Sequence, residues 1–290
     1  MVGPALGVST FVWYSPITDA SLSEIAPRVA AWGFDVIELP LESVGDLDAE
    51  HTGKVLSEVG LTGTVGGVMP PGRELVQASE STVKETQSYL RACIDLAATI
   101  GSPVVTGPLY SSVGRTWRLE PEERRKCLQE LQRNLQPLVD YAAANGVKLA
   151  IEPLNRYETS LFNTAEQVVE LVGPLNSAGI GITLDTYHMN IEEKSSAAAI
   201  RLAGPRLVYF QVCANDRGAP GNDQIDWSGI GKALKDVGYD GIATIESFTS
   251  SNVTIATAAS IWRPLGSSQD AIAQEGLAFL KQWREEYWKE

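Results

Sequence analysis

Eight short runs rich in β-branched and other apolar residues recur along this chain, each separated from the next by a stretch long enough to hold a helix. They are ALGVST (5–10), DVIELP (35–40), LTGTVGG (61–67), PVVTGP (103–108), VKLAIEPL (147–154), GITLDT (181–186), LVYFQVC (207–213) and GIATIES (241–247). Parallel strands cannot be joined by tight hairpins and need crossovers of about a dozen residues or more, usually helical. Apolar strands alternating with helices therefore mark a parallel sheet covered on its faces, and eight strands suffice to close a barrel.

The intervening segments agree. LEPEERRKCLQELQRNLQPLVDYAAANG places Pro121 and acidic residues in its first turn, keeps Leu128, Leu131, Leu135 and Leu138 on one stripe, and stops at Gly146. These are the features of an amphipathic helix that feeds the next strand. SLSEIAPRVAAWG and DWSGIGKALKDVGYDG follow the same plan, although Pro27 and the glycines work against helix in each. Residues 268–288 form a closing helix rich in Trp, Glu and Lys. A barrel of this kind occupies about 250 residues as one unit, so 290 residues need no second core. The expected fold class is α/β, a single-domain (β/α)8 TIM barrel over residues 1–290.

Charge and composition narrow the function classes. A formal net charge of −13 repels phosphate backbones, which argues against a nucleic-acid partner. No apolar run reaches the ~20 residues that span a bilayer, so no membrane association is expected. The start, MVGPALGVST, has no basic segment followed by an apolar stretch, and Cys93, Cys127 and Cys213 form neither a disulfide framework nor a CxxC pair. A cytoplasmic protein acting on a small, weakly charged molecule is the expectation.

The longest stretches without a clear period, MPPGREL (69–75), LYSSVGRTW (109–117) and SFTSSNVTIATAASIWRPLG (247–266), each follow a strand. That is the barrel face on which active sites are built. Side chains alternate along a strand. If Leu149 and Ile151 pack on the outer helices, Ala150 and Glu152 point inward. The same parity turns Thr183 and Asp185, Tyr209 and Gln211, and Thr244 and Glu246 inward. Four consecutive strands thus each present one oxygen-bearing side chain at a similar height. A lone Asp or Glu after a strand is commonly a helix N-cap, but four in register are not explained that way.

Three carboxylates converging in a water-poor pocket cost several kcal/mol per ion when unpaired, so a cation is expected between them. Hard oxygen donors favour Mn²⁺ foremost, with Mg²⁺ or Co²⁺ as alternatives, over a closed zinc site. One divalent metal is therefore expected on Glu152, Asp185, Gln211 and Glu246.

At these residues the chain resembles the ketose 3-epimerases, the tagatose and psicose epimerases of the xylose isomerase-like sugar isomerase/epimerase superfamily. IEPLNRYETSLFNTAEQ is similar to that family's IEVLNRFE…LNTA segment, TLDTYHMNIEE to its LDTFHMNIEE, NDRGAPG to its RxPG loop, and TIESF to its MEPF strand end. The resemblance implies metal ligands at Glu152, Asp185 and Glu246, and substrate contacts from Glu158, His188 and Arg217. At position 211 the epimerases carry histidine; Gln211 instead resembles the hydroxypyruvate isomerases. The epimerases' Trp-containing motif after the fourth strand is replaced by PLYSSVGRT. Relatives are commonly dimers or tetramers, so a homodimer or homotetramer is expected.

The reading that follows is a sugar isomerase/epimerase acting on a ketose or related keto sugar. Glu152 and Glu246 serve as acid and base on opposite faces of the reacting carbon, through an enediolate. Trp13 and Trp117 are candidate stacking platforms for the sugar, and Glu158 either meets substrate or caps the helix beginning near Asn163. His188 has a bland alternative as a satisfied strand-end histidine, and Cys213 is read as a packing residue. The enzymatic rival is a lyase or dehydratase performing β-elimination on a 3-keto sugar or 3-keto glycoside, which needs no second proton delivery to carbon. A non-catalytic sugar-binding barrel is a further alternative. An endonuclease-IV-like enzyme shares the barrel but needs a histidine-rich zinc centre and a basic surface, and this acidic chain has two histidines, His51 and His188.

Overall fold

The computed structural model describes residues 3–176 and 178–289. Its eight strands are β1 (Ala5–Ser9), β2 (Val36–Leu41), β3 (Thr62–Gly67), β4 (Val104–Gly107), β5 (Lys148–Ile151), β6 (Ile180–Asp185), β7 (Leu207–Val212) and β8 (Ile242–Ile245). All neighbours pair in parallel and β8 returns to β1, closing the barrel. Each strand lies within or overlaps the run read from sequence, because β-branched residues flanked by Gly, Pro and Asp leave little freedom in where a strand can sit.

The outer layer comprises α1 (Asp19–Trp32), α2 (Ala49–Val59), α3 (Glu80–Thr99), α4 (Pro121–Ala144), α5 (Ala165–Val172), α6 (Thr186–Glu192), α7 (Ser196–Ala203), α8 (Trp227–Asp236), α9 (Val253–Ala258) and α10 (Gln269–Trp288). Side chains of Thr18, Asp48, Ser79, Ser195 and Ser268 cap the helices they precede, satisfying N–H groups that have no partner within the helix. Pro27 does not end α1. An interior proline costs about 3 kcal/mol, but Leu22, Ile25, Ala26 and Val29 are buried on the same helix, and a large apolar side chain gains about 1.5–3 kcal/mol on burial. No helix among the described residues is long and apolar enough to cross a membrane, and the three cysteines are free.

The barrel interior is filled in layers. Val36, Val104, Ala150, Tyr209 and Ile242 form an apolar cluster apart from the main core, while Leu149, Ile151, Ile182, Leu184, Phe210, Val212 and Ile245 join the core between sheet and helices. Hydroxyls cross the interior above the apolar cluster: Tyr209 meets Thr64 at 2.9 Å and Thr244 at 2.7 Å, and Thr106 meets Thr183 at 2.5 Å. These contacts establish the inward parity of Thr183, Tyr209 and Thr244.

The loops after β3, β4 and β5 are stitched together over one end. Leu75 N–H donates to the Tyr110 carbonyl, Val113 N–H to Met69, and Gly114 N–H to Glu158. Buried Glu74 accepts from the Ser112 hydroxyl and pairs with Arg115 at 2.6 Å. The third long insertion, irregular by sequence, contains α9 and buries its own small cluster of Phe248, Ile255, Ala256 and Ile261.

Candidate active site

The polar side chains converge where the strands run out. Glu152 follows β5 and still pairs with it, its N–H donating to the Gly107 carbonyl at 3.1 Å; Glu246 follows β8 and donates to Val212 at 3.0 Å. Gly107 has φ +131, and a Cβ there would lie 2.7 Å from the Gly67 carbonyl oxygen. Only glycine keeps this strand end close enough to its neighbour. Asp185 ends β6 beside Gln211 on β7. It also caps α6, accepting from Tyr187 N–H at 2.6 Å. The helix-cap reading of a strand-end carboxylate is thus true of Asp185, and its second oxygen is still available to the site.

Arg217 ties the cluster together. Its Nη1 lies 2.8 Å from Asp185 Oδ2 and 2.9 Å from Glu246 Oε2, and its Nη2 lies 3.1 Å from His188 Nε2. The guanidinium carbon also sits 4.1 Å from the Tyr187 ring centroid and 4.7 Å from that of Phe248. Its backbone adopts φ +70, a conformation that costs a non-glycine residue about 1–3 kcal/mol. The turn is held by Ala214 N–H to Gly218 O, and by Phe248 N–H to Arg217 O, each at 3.0 Å. His188 Nδ1 accepts from Asn155 N–H at 3.0 Å, which turns Nε2 toward Glu152 Oε1, 3.5 Å away.

These surroundings divide the titratable groups. Burial, with the Asp185 charge adding to it, pushes the Glu152 carboxyl well above its ordinary range. Burial does the same to Glu246 in spite of Arg217. For Asp185 burial acts in the same sense, but Arg217 foremost outweighs it and holds the carboxyl low. Burial pulls His188 below its ordinary value, leaving a neutral imidazole. Arg217 is raised because Asp185, Cys213 and Glu246 overcome its own burial. The site therefore pairs an ionised aspartate with two glutamates that readily hold protons, the division of labour that acid–base chemistry uses.

Two oxygens in this cluster, Glu152 Oε1 and Gln211 Oε1, are buried with no hydrogen-bond partner. A buried acceptor left unmet costs about 1–3 kcal/mol, and a cation bound to both removes that cost. One ligating atom each from Glu152, Asp185 and His188 lie within 4.8 Å of one another, while Glu246 adjoins Gln211, whose Nε2 lies 3.0 Å from its Oε1. Glu152, Asp185 and His188 thus make a cluster that could hold a metal ion, with the unpartnered Gln211 oxygen a further donor beside it.

Of the remaining residues singled out by sequence, Glu158 accepts from Asn155 Nδ2 at 2.7 Å and joins the site through His188's partner. It caps no helix; α5 starts at Ala165 after Thr164. Cys213 is buried, with Sγ 3.8 Å from Asp185 Oδ1 and 3.7 Å from Arg217 Nη1. Trp117 lies against the Arg115 guanidinium at 4.3 Å, and its indole N–H is buried without a partner. Trp13 stacks on Trp32 of α1, and its N–H donates to Asp270 of α10.

Two residues escaped the sequence reading. Glu38, on β2, is buried and lies 3.3 Å from Gln211 Nε2; burial pushes its carboxyl up to about 7. Parity alone could have found it, since Ile37 and Leu39 face the helices. Asn155 gives its side-chain NH₂ to Glu158 and approaches His188 Nδ1 at 3.0 Å. It follows the strand, where alternation no longer guides a reader.

The comparisons fit this geometry. The family model described as "Xylose isomerase-like TIM barrel" matches residues 26–283. A probable ketose 3-epimerase of Synechocystis sp. is 32% identical over 276 residues, covering 95% of each chain. The solved L-ribulose 3-epimerase superposes with a TM-score of 0.91 at 28% identity, over 98% of this chain and 95% of that one. The D-allulose 3-epimerase of Methylomonas sp., in complex with D-allulose, does so with a TM-score of 0.87 at 28% identity, over 97% of both chains. With barrel, site and family model in agreement, the chain belongs to the xylose isomerase-like TIM barrel family.

Proposed function

We propose that this protein is a divalent-metal-dependent sugar epimerase that inverts the carbon beside the carbonyl of a ketose. The observation that carries the reading is the convergence of Glu152, Asp185, Gln211 and Glu246 from four successive strands, two of them glutamates whose surroundings favour the protonated form. The relatives above, named as ketose, L-ribulose and D-allulose 3-epimerases, support the substrate class.

These four residues would hold a divalent ion, Mn²⁺ foremost, which would supply Lewis acidity to the keto sugar when bound. One glutamate, held ionised by the positive charge at the site, removes the proton next to the carbonyl, and the other, protonated, gives its proton to the opposite face of the same carbon. Glu246 is the more accessible of the two, its side chain 13% exposed against 5% for Glu152, so it lies toward the arriving substrate. Neutral His188, oriented by Asn155, offers Nε2 to the sugar near O1 or O2. Arg217 neutralises charge that develops on oxygen, Glu158 offers a further polar contact, and Trp13 and Trp117 offer stacking surfaces for the sugar. The buried hydroxyl layer beneath the cluster closes the barrel floor to bulk water. Assembly as a homodimer or homotetramer completes the reading.

Proton NMR of a free ketohexose in D₂O tests it. Deuterium at C3 with accumulation of the C3 epimer, dependent on added Mn²⁺, is the expected result. Glu152→Gln and Glu246→Gln should each lose about 10²–10⁴-fold in turnover. Wild-type turnover in both variants overturns the mechanism. An inert hexose together with elimination from a 3-keto glycoside overturns the epimerase in favour of the lyase.

A further inference from the structure

We propose that Glu38 is a positioning residue that fixes which face of the Gln211 amide meets the cation, turning its carbonyl oxygen into the site and its NH₂ away. The inference rests on the metal-dependent reading above. An amide presents a donor or an acceptor depending on a half-turn about its last bond, and the two orientations occupy nearly the same volume. Packing alone therefore cannot choose between them; neighbouring hydrogen-bonding groups must.

Those neighbours are two carboxylates. Gln211 Nε2 lies 3.3 Å from Glu38 Oε2 and 3.0 Å from Glu246 Oε1, so both amide hydrogens have acceptors. The carbonyl oxygen is left buried and unpartnered. With the ion bound and Glu246 ionised upon it, reversing the amide would set its oxygen against a carboxylate and aim two N–H groups at the ligand position, where no cation could bind. Glu246 is itself a metal ligand in this reading, so its carboxylate is shared with the ion. Glu38 is the acceptor that is not shared. It is 1% exposed, is held by Ser9 and Tyr209, and sits on β2, remote in sequence from the four ligand strands. It works as a fixed outer partner that orients a ligand.

Titration calorimetry of the metal-free protein with Mn²⁺ tests the inference, using wild type, Glu38→Gln and Glu38→Leu. Each variant is also made in a Gln211→Ala background, and folding is monitored by melting temperature. Wild type binding no Mn²⁺ overturns the metal-dependent reading itself. With wild type binding, Glu38→Leu should weaken Mn²⁺ affinity about 10–100-fold. Glu38→Gln, which can accept or donate, should fall between. Glu38→Gln, which keeps a hydrogen-bonding group against Ser9 and Tyr209, should not lower the melting temperature of the metal-free protein, whereas Glu38→Leu leaves those groups unmet and should lower it modestly. In the Gln211→Ala background the substitutions at 38 should change affinity no further, because the amide they orient is gone. Unchanged Mn²⁺ affinity in Glu38→Leu overturns the proposal, as does a loss that persists undiminished without Gln211. If Glu38→Leu fails to fold, the same two outcomes read on Glu38→Gln decide it.

Discussion

Replacing Arg217 by methionine, which keeps the length and removes the charge, isolates the one cation that the described residues place among the carboxylates. The Arg217 side chain is 5% exposed and that of its partner Asp185 is fully buried, at 2.8 Å. Taking one partner from a buried ion pair typically costs about 3–5 kcal/mol, because the other charge is left uncompensated. Glu152 and Glu246 limit the damage, since both take up protons readily, whereas Asp185 is held low chiefly by Arg217. The deficit therefore centres on Asp185. For a chain of this size it should appear as a fall in melting temperature of about 6–20 °C. It should also shrink as pH drops from 8 to 5: a group whose folded pKa is depressed stabilises the fold above its unfolded pKa, and without Arg217 that contribution is lost and Asp185 can neutralise itself instead. Scanning calorimetry of the two metal-free proteins across that pH range provides the measurement. Adding Mn²⁺ should recover part of the loss in Arg217→Met, because the ion supplies the missing positive charge. A variant that melts like wild type at pH 8, or whose deficit is the same at pH 5, would refute the assignment of Arg217 as the electrostatic keystone.

Three further outcomes are expected. Glu38, at about 7 in the fold against an ordinary 4.5, keeps its proton in the folded chain after the unfolded chain has lost it. Metal-free stability should then fall by on the order of 3 kcal/mol as pH rises from about 4.5 through about 7. Urea melts at pH 5 and 8 should show Glu38→Gln reducing that slope. Gly107→Ala should lower the melting temperature by more than an exposed glycine substitution does, because φ +131 and the Gly67 carbonyl 2.7 Å from the added Cβ leave it no room; Gly114→Ala, where φ is +86 but no atom lies within 4 Å, is the control. Exhaustive chelation should abolish epimerisation and Mn²⁺ should restore it, with the ion at 100 times its dissociation constant stabilising the fold by about 2.7 kcal/mol in thermal melts.

The barrel was legible because strand parity and helix periodicity are set by the backbone and repeat along the chain. Glu152, Asp185, Gln211 and Glu246 were found by carrying that alternation to the end of each strand. Where the backbone leaves the strand, the rule loses its hold. Asn155 lies past β5 in a turn, and its contacts with His188 and Glu158 depend on three-dimensional closure of the loop. Trp13, past β1, is outside the rule's reach for a related reason: its stack on Trp32 and its bond to Asp270 depend on a loop conformation that composition does not encode. Glu38 was accessible to the parity argument but lies on β2, outside the run of strands β5 to β8 where the carboxylates clustered in sequence.

The hydroxyls of Thr64, Tyr209, Thr244, Thr106 and Thr183 beneath the site give it a floor of an unusual electrical kind. Each can donate or accept, and its hydrogen rotates without any heavy atom moving. When charge appears or disappears above them, they can reorient their dipoles in response while the strands stay fixed. The protein thereby has a locally polarisable medium in place of water, able to answer a change of charge above it while the carboxylates stay where the strands hold them.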